Sequence, residues 1–189
     1  MDEFNTTAEK GAYPKAMGEI LGSSYIRPLG KGYLAFYLEQ AYTDPYLYLR
    51  DNVDFVIGQR RFSNNGGNII HNDFLGFPYG GDAFIISLET EYILPGQYSA
   101  GIKGTYIMHG GETDMDTEWQ PVSSLSPGDT IFPRGIPEHR MVIGILGKWN
   151  ILTWLTFYGE VDGIFCWNYR KTGNTSQDFQ TVIGMSLEF

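Results

Sequence analysis

Apolar and polar side chains alternate along most of this chain with a period of two residues. The last segment shows this most clearly. One face there carries Phe179, Thr181, Ile183, Met185, Leu187 and Phe189, and the other carries Gln180, Val182, Gly184, Ser186 and Glu188. A two-residue period places successive side chains on opposite faces of a strand, and no segment keeps a helical spacing over three turns. The sequence therefore predicts an all-β protein.

Turn residues divide these segments into seven predicted strands, at 17–28, 32–50, 83–94, 98–109, 139–150, 154–169 and 178–189. Tight turns near 28–32, 94–97 and 150–153 alternate with longer connections. In an up-and-down barrel this order places the tight turns at one end and the long loops 51–81 and 109–138 at the other, which we expect to be extracellular. Segment 51–81 has room for local strand pairing. A spanning strand at 53–62 would make eight strands but would put tight turns at both ends, so seven is preferred.

Membrane barrels share this period with soluble β-barrels and sandwiches, whose apolar face turns inward. Three features favour the membrane, and the first is the alternation of tight turns and longer connections. Aromatic residues that suit a lipid interface stand near the predicted strand ends: Tyr25, Tyr33, Tyr92, Tyr98, Trp149, Trp154, Trp167 and Tyr169. The last strand stops at Phe189 with the spacing of a C-terminal strand that the outer-membrane insertion machinery recognises. We therefore predict an antiparallel up-and-down transmembrane β-barrel.

Seven strands would leave unpaired edges in hydrocarbon, where every backbone polar group needs a partner. The chain also begins at Met1 without the basic and apolar regions of a signal peptide. We therefore expect residues 1–189 to be a single barrel segment. It would form the last seven or eight strands of a larger bacterial outer-membrane barrel whose N-terminal part is missing.

The composition and the motifs of the chain argue against several classes of function. With 22 acidic against 13 basic residues and a formal net charge of -9, the chain lacks the basic surface that a nucleic-acid partner requires. The lone Cys166 excludes an internal disulfide and a cysteine metal site, and no apolar run reaches the ~18 residues of a spanning helix. The acidic stretch 112–118 lacks EF-hand spacing, so a solvated loop is favoured over a calcium site. No nucleophile motif such as G-x-S-x-G is present, and we expect neither catalysis nor a cofactor.

Four stretches carry a more specific signal: MDEFNT at 1–6, LEQAYTDPYLY at 38–48, LGFPYGGDA at 75–83 and YIMHG at 106–110. They resemble the C-terminal part of the capsule assembly protein Wzi family of outer-membrane barrels, and the middle two are the most specific. The resemblance implies a surface lectin that holds capsular polysaccharide or exopolysaccharide without making or breaking bonds. It implies surface polysaccharide, outer-membrane lipid and the barrel-insertion machinery as partners.

Proteins bind sugars by stacking aromatic rings on pyranose faces and by hydrogen bonding hydroxyls to amides and carboxylates. Loop 51–81 contains these residue types, and the candidate ligand-binding residues are Arg60, Arg61, Asn72, Asp73, Phe77 and Tyr79. The two arginines would suit uronate carboxylates. In the competing interpretation, the asparagines and glycines serve turns, and residues 75–78 pack over the barrel mouth.

Charged residues are also predicted on the polar face of the strands: Glu39, Glu89, Glu91, Lys103, Arg140, Lys148, Glu160 and Asp162. They would either line a pore or polysaccharide path, or pair with one another as an internal plug. Two other functions therefore stay open beside polysaccharide binding. One is a porin-like diffusion channel, and the other is a soluble barrel that holds a small ligand.

Overall fold

The computed structural model describes residues 16–50, 53–54, 56–63, 66–74, 76–112 and 131–187, with the backbone alone for 49–74. Within these residues the chain forms eleven strands: β1 (Gly18–Leu29), β2 (Gly32–Thr43), β3 (Leu49–Arg50), β4 (Val53–Asp54), β5 (Val56–Ser63), β6 (Gly66–Phe74), β7 (Ala83–Leu94), β8 (Tyr98–His109), β9 (Glu138–Leu152), β10 (Leu155–Trp167) and β11 (Ser176–Leu187). One 3-10 turn, Tyr169–Lys171, lies between β10 and β11. The all-β prediction is confirmed.

Seven of these strands form one antiparallel up-and-down sheet, in the order β1, β2, β7, β8, β9, β10, β11. They correspond to the seven predicted strands. The four strands that lie between β2 and β7 in the sequence, β3 to β6, are not part of this sheet. Gly30 (φ 62°) and Gly96 (φ 73°) supply left-handed residues for the first two tight turns. The preferred strand count and the alternation of tight and long connections are thus confirmed.

The second strand is shorter than predicted, because β2 ends at Thr43 and not at residue 50. Pro45 has no N–H to donate to a sheet ladder. The Asp44 carbonyl instead accepts a hydrogen bond from the Leu47 N–H at 3.1 Å, which closes a turn. The third tight turn also lies later than predicted, because β9 continues to Leu152 with a bulge in its pairing to β10.

Between β2 and β7 the chain makes two small strand pairs. β3 pairs with β4, and β5 pairs with β6 in an antiparallel register that shifts between Gln59 and Arg60. The local strand pairing expected within 51–81 is therefore confirmed.

The two faces of the seven-stranded sheet differ in chemistry. Across β9, β10 and β11, the register sets Val161 between Ile145 and Thr181 on one face, which we name the apolar face. One residue earlier on β10, Glu160 lies beside Val182 on the polar face. β7 and β8 show the same alternation, and the Ser87 and Thr105 hydroxyls form a hydrogen bond on their polar face.

The buried side chains of the strands lie on the polar face. Among the described residues, the buried strand side chains are mostly small or polar and belong to that face: Ala35, Ala41, Thr43, Ala83, Ile85, Ile107, Asp162 and Cys166. Large side chains of the apolar face are exposed, with Ile183 at 79% and Phe179 at 75%. This polarity is the inverse of a soluble sheet, whose apolar face is the buried one.

The described chain divides into two compact units. The first contains the described parts of Tyr42–Phe84 and His109–Pro137, together with residues 16–19, and these include the described residues of the two long connections. The second contains Ile20–Ala41, Ile85–Met108 and the described residues from Glu138 onward, and so holds the tight turns. Each unit contributes its own candidate site.

Candidate functional site

A tight turn in the first unit presents two aromatic rings. Residues 77–80 form a β-turn in which the Gly80 N–H donates to the Phe77 carbonyl at 3.0 Å. Pro78 takes the second position, where its fixed φ suits the turn. The Phe77 and Tyr79 ring centroids lie 5.7 Å apart with an interplanar angle of 55°, and Tyr79 is 36% exposed. Residues 77–80 are named the aromatic turn.

Hydrogen bonds fix both ends of the aromatic turn. At its start, the Tyr48 hydroxyl accepts from the Phe77 N–H at 2.9 Å. At its end, Thr43 Oγ1 donates to the Gly80 carbonyl and accepts from the Ala83 N–H, each at 3.0 Å. Because Thr43 is buried, its bonds are shielded from competing water. The end of β2 and the residues after it therefore hold the turn in place.

A buried aspartate joins the start of β7 to the second long connection. Asp82 is 0% exposed and has a left-handed φ of 60°, which aspartate tolerates better than most residues. Its carboxylate accepts the Arg134 N–H at 3.0 Å, and its carbonyl accepts the Gly110 N–H at 2.8 Å. A Cβ at position 110 would overlap the Asp82 carboxylate. Glycine at 110 therefore lets the two segments approach.

A second aspartate organises the turn after β2. The Asp44 carboxylate accepts the Met17 N–H at 2.8 Å and the Tyr42 hydroxyl at 2.7 Å. Its carbonyl accepts the Asp82 N–H at 3.1 Å, which links the two aspartates through the backbone. The Arg134 guanidinium lies 5.3 Å from the centroid of the neighbouring Tyr46 ring, in cation–π geometry.

Four of the six predicted ligand-binding residues lie on the β5–β6 hairpin: Arg60 and Arg61 on β5, and Asn72 and Asp73 on β6. The register sets the arginines opposite Ile69 and Asn68, and the other two opposite Gly58 and Ile57, so the pairs occupy different positions along the hairpin. The side chains of these four residues lie outside the described part of the structure, as does most of the acidic stretch 112–118. Phe77 and Tyr79 lie together on the aromatic turn.

Sequence reasoning missed the residues that fix the aromatic turn. The sequence pattern places Thr43 and Tyr48 in one continuous strand, and it does not mark Asp44, Asp82 or Arg134 as candidates. The usable signals were the Asp-Pro pair after β2 and the Gly-Gly-Asp run before β7, both of which mark turns. The two most specific stretches, 38–48 and 75–83, pack against each other through these residues.

In the second unit, three charged side chains meet on the polar face. Lys103 contacts the Glu160 carboxylate and lies 3.2 Å from Asp162 Oδ1. A Cβ at Gly144 would overlap the Asp162 carboxylate, so the glycine makes room for the group. Lys103, Glu160 and Asp162 are named the ion cluster. Three of the eight charged residues predicted on the polar face thus pair with one another.

A groove of about 520 Å³ lies on the polar face of β1, β2, β7 and β8. Its polar lining residues are Ser23, Ser24, Tyr37, Glu39, Ser87, Glu89, Lys103 and Thr105. Within the described residues Lys103 pairs with carboxylates of β10, and no ion pair reaches Glu39 or Glu89. The groove therefore offers hydroxyl groups and negative charge to whatever occupies it.

Among the described residues, no three or more His, Cys, Asp or Glu side chains are placed to hold a metal ion. In the same part of the chain, no helix is long and apolar enough to cross a membrane.

Fold and sites together define an all-β protein with one seven-stranded up-and-down sheet, an exposed apolar face and a polar face that carries an ion cluster. No family model, no curated protein and no solved structure matches the chain. The function is therefore argued from these physical features.

Proposed function

We propose that this chain is part of a bacterial outer-membrane β-barrel of the capsule assembly type. It binds or anchors surface polysaccharide through its long connections and carries out no catalysis. The observation that supports a membrane location best is the inverted polarity of the sheet, since the buried strand side chains belong to the polar face and the large apolar ones are exposed. Lipid satisfies such a face, whereas water does not.

The strand lengths and the aromatic residues agree with this location. The seven strands contain 12 to 15 residues each, which exceeds the ~9–11 residues that a tilted strand needs to cross a bilayer. Near the tight turns, the Tyr92 and Tyr98 rings lie 6.2 Å apart, and Tyr33, Trp149 and Trp154 are exposed. Amphipathic rings at one end of the strands suit the lipid interface.

The proposal also requires further strands. β1 and β11 stand at the two ends of the sheet order, and an open edge in hydrocarbon would leave backbone N–H and C=O groups unpaired. In the complete barrel, additional strands therefore lie beside β1 and beside β11.

Two features support polysaccharide as the ligand. The stretches at 38–48 and 75–83 resemble the Wzi family, and they form the frame that holds the aromatic turn. The turn exposes Tyr79 beside Phe77, and such rings suit the apolar face of a pyranose.

The groove on the polar face favours a diffusion path as a second candidate function, because its carboxylates Glu39 and Glu89 have no ion-pair partner among the described residues. Such a path would favour small cations over anions. Planar-bilayer recordings of the purified protein test it through the reversal potential in a KCl gradient. Steady cation-selective conductance without retention on a polysaccharide column would replace the binding proposal with this one.

The main test has two parts. First, the purified protein in detergent is run unboiled and boiled on a gel, since a folded transmembrane barrel migrates differently from its heated form. Second, the same sample is passed over immobilised surface polysaccharide from the encoding organism, with a dextran column as the control. We expect heat-modifiable migration and selective retention. A monodisperse, folded protein in detergent-free buffer would overturn the membrane proposal, and equal passage through both columns would overturn the polysaccharide proposal.

A further inference from the structure

The aromatic turn has the properties of a preorganised sugar subsite. We propose that Phe77 and Tyr79 form a stacking subsite for one pyranose ring, and that Tyr48 and Thr43 are positioning residues that hold this subsite in its binding conformation. This inference rests on the proposed function, because it names the part of the chain that contacts the polysaccharide.

The ring geometry supports stacking. The Phe77 and Tyr79 rings are tilted by 55° with centroids 5.7 Å apart, so they are not stacked face to face on each other. Tyr79 is partly exposed and carries a hydroxyl that can hydrogen-bond a sugar hydroxyl while its face packs on the sugar C–H groups. Both side chains have only two rotatable bonds, so holding them still costs little conformational entropy.

The backbone that carries the rings is fixed before any ligand arrives. Tyr48 binds the amide at the start of the turn, and Thr43 binds the carbonyl at its end. Gly81, directly after the turn, lies so close to the Pro45 carbonyl that an added Cβ would stand 2.9 Å from its oxygen. A loop that must become ordered on binding loses affinity. This frame therefore raises affinity without touching the sugar.

The experiment measures affinity by calorimetry on the full protein in detergent, with surface polysaccharide extracted from the encoding organism as the probe. We expect Phe77→Ala and Tyr79→Ala each to weaken binding roughly 3- to 10-fold, as the loss of one aromatic contact does. Tyr79→Trp should bind at least as tightly as the wild type, because the larger ring keeps the stacking face. If Tyr79→Trp folds and binds as poorly as Tyr79→Ala, the stacking subsite is refuted.

The positioning residues are tested by removing only their hydroxyl groups. Tyr48→Phe and Thr43→Val should weaken binding roughly 2- to 10-fold, as the loss of a hydrogen bond does, while Thr43→Ser keeps wild-type affinity. Tyr33→Phe is the matched control, because Tyr33 is an exposed tyrosine of the second unit. In free Tyr48→Phe, hydrogen exchange of the amides at 77 and 80 should accelerate, and saturating polysaccharide should restore protection. A purely structural role would not produce this ligand-dependent recovery.

The outcomes separate this inference from the function on which it rests. A wild-type protein with no affinity for the polysaccharide overturns both proposals. Wild-type binding that survives Phe77→Ala and Tyr79→Ala unchanged overturns the subsite and leaves the function standing. Weaker binding by the ring variants with unchanged binding and exchange in Tyr48→Phe and Thr43→Val overturns the positioning role alone.

Discussion

Two exposed valines on opposite faces of the sheet provide a direct test of its orientation. Val161 on β10 belongs to the apolar face, between Ile145 and Thr181, and Val182 on β11 belongs to the polar face, beside Glu160. The two are similarly exposed, at 52% and 41%. Changing each to lysine therefore adds the same charge on neighbouring strands, once on the apolar face and once on the polar face.

The expected magnitude follows from the position of Val161 in its strand. β10 has 13 residues, Leu155–Trp167, and Val161 lies six residues from either end. In the proposed membrane barrel, a rise of ~3.3 Å per residue and a tilt of ~40° give about 2.5 Å per residue along the membrane normal, which would place Val161 near the midplane. A lysine at that depth costs about 2–4 kcal/mol. The equilibrium constant for folding into the bilayer should fall roughly 30- to 900-fold.

Val182→Lys should behave differently, because its ammonium group would meet the Glu160 carboxylate and not lipid. We expect a change within about 1 kcal/mol, as for an exposed ion pair. The assay is urea-dependent folding of the purified protein into phosphatidylcholine vesicles, with the folded fraction followed by unboiled gel migration and tryptophan fluorescence.

Equal losses in the two variants would refute the assignment of the faces. A larger loss for Val182→Lys than for Val161→Lys would reverse it. If the apolar face were instead the core of a soluble barrel, the wild type would fold without vesicles, and Val161→Lys would unfold it in plain buffer.

Two further predictions concern the sites within each unit. Asp82→Ala leaves the Arg134 N–H without the buried carboxylate that accepts it, so we expect a loss of about 1–3 kcal/mol of local stability and faster proteolysis within 131–137. Asp82→Asn, which keeps an acceptor oxygen and tolerates the left-handed backbone, should lose less. Gly144→Ala forces a methyl group into the ion cluster and should lower the free energy of unfolding by about 1–3 kcal/mol, which appears as a lower urea midpoint. Gly147→Ala on the same strand should not change the midpoint, because the nearest neighbour of its added methyl group would be 3.7 Å away. Equal midpoints for the two glycine variants would show that the ion cluster is not tightly packed.

The strands could be predicted from the sequence because their signal is local. A two-residue period and turn residues such as Gly30 and Gly96 act over a few positions, so they place strand ends to within a few residues. The exception was β2, where a run of apolar residues continues past Asp44 and hides the turn. There the backbone is set by the proline and by contacts with residues about 40 positions away, such as Thr43 with Ala83.

The candidate site was harder to predict from the sequence than the strands, because part of it depends on contacts between residues that are distant along the chain. Phe77 and Tyr79 carry a chemical signal in their own side chains, so composition could identify them. Tyr48 and Thr43 act only through backbone groups that the fold brings to them. No spacing in the sequence encodes those distances, and hydroxyl residues are common in strands and turns.

The two-residue period separates the side chains into two faces, but it does not tell which of the two faces is the inner one. Crowding supplies the missing information. The polar face buries alanines such as Ala35 and Ala83, and it leaves so little room that Gly144 admits no methyl group beside the ion cluster. On the apolar face, side chains as large as Phe179 remain three-quarters exposed. Side chains on the concave side of a curved sheet converge and are crowded, so small residues suit that side. This crowding is what the proposed barrel expects of its inner face, and an exposed apolar face is what it expects of the side that meets lipid.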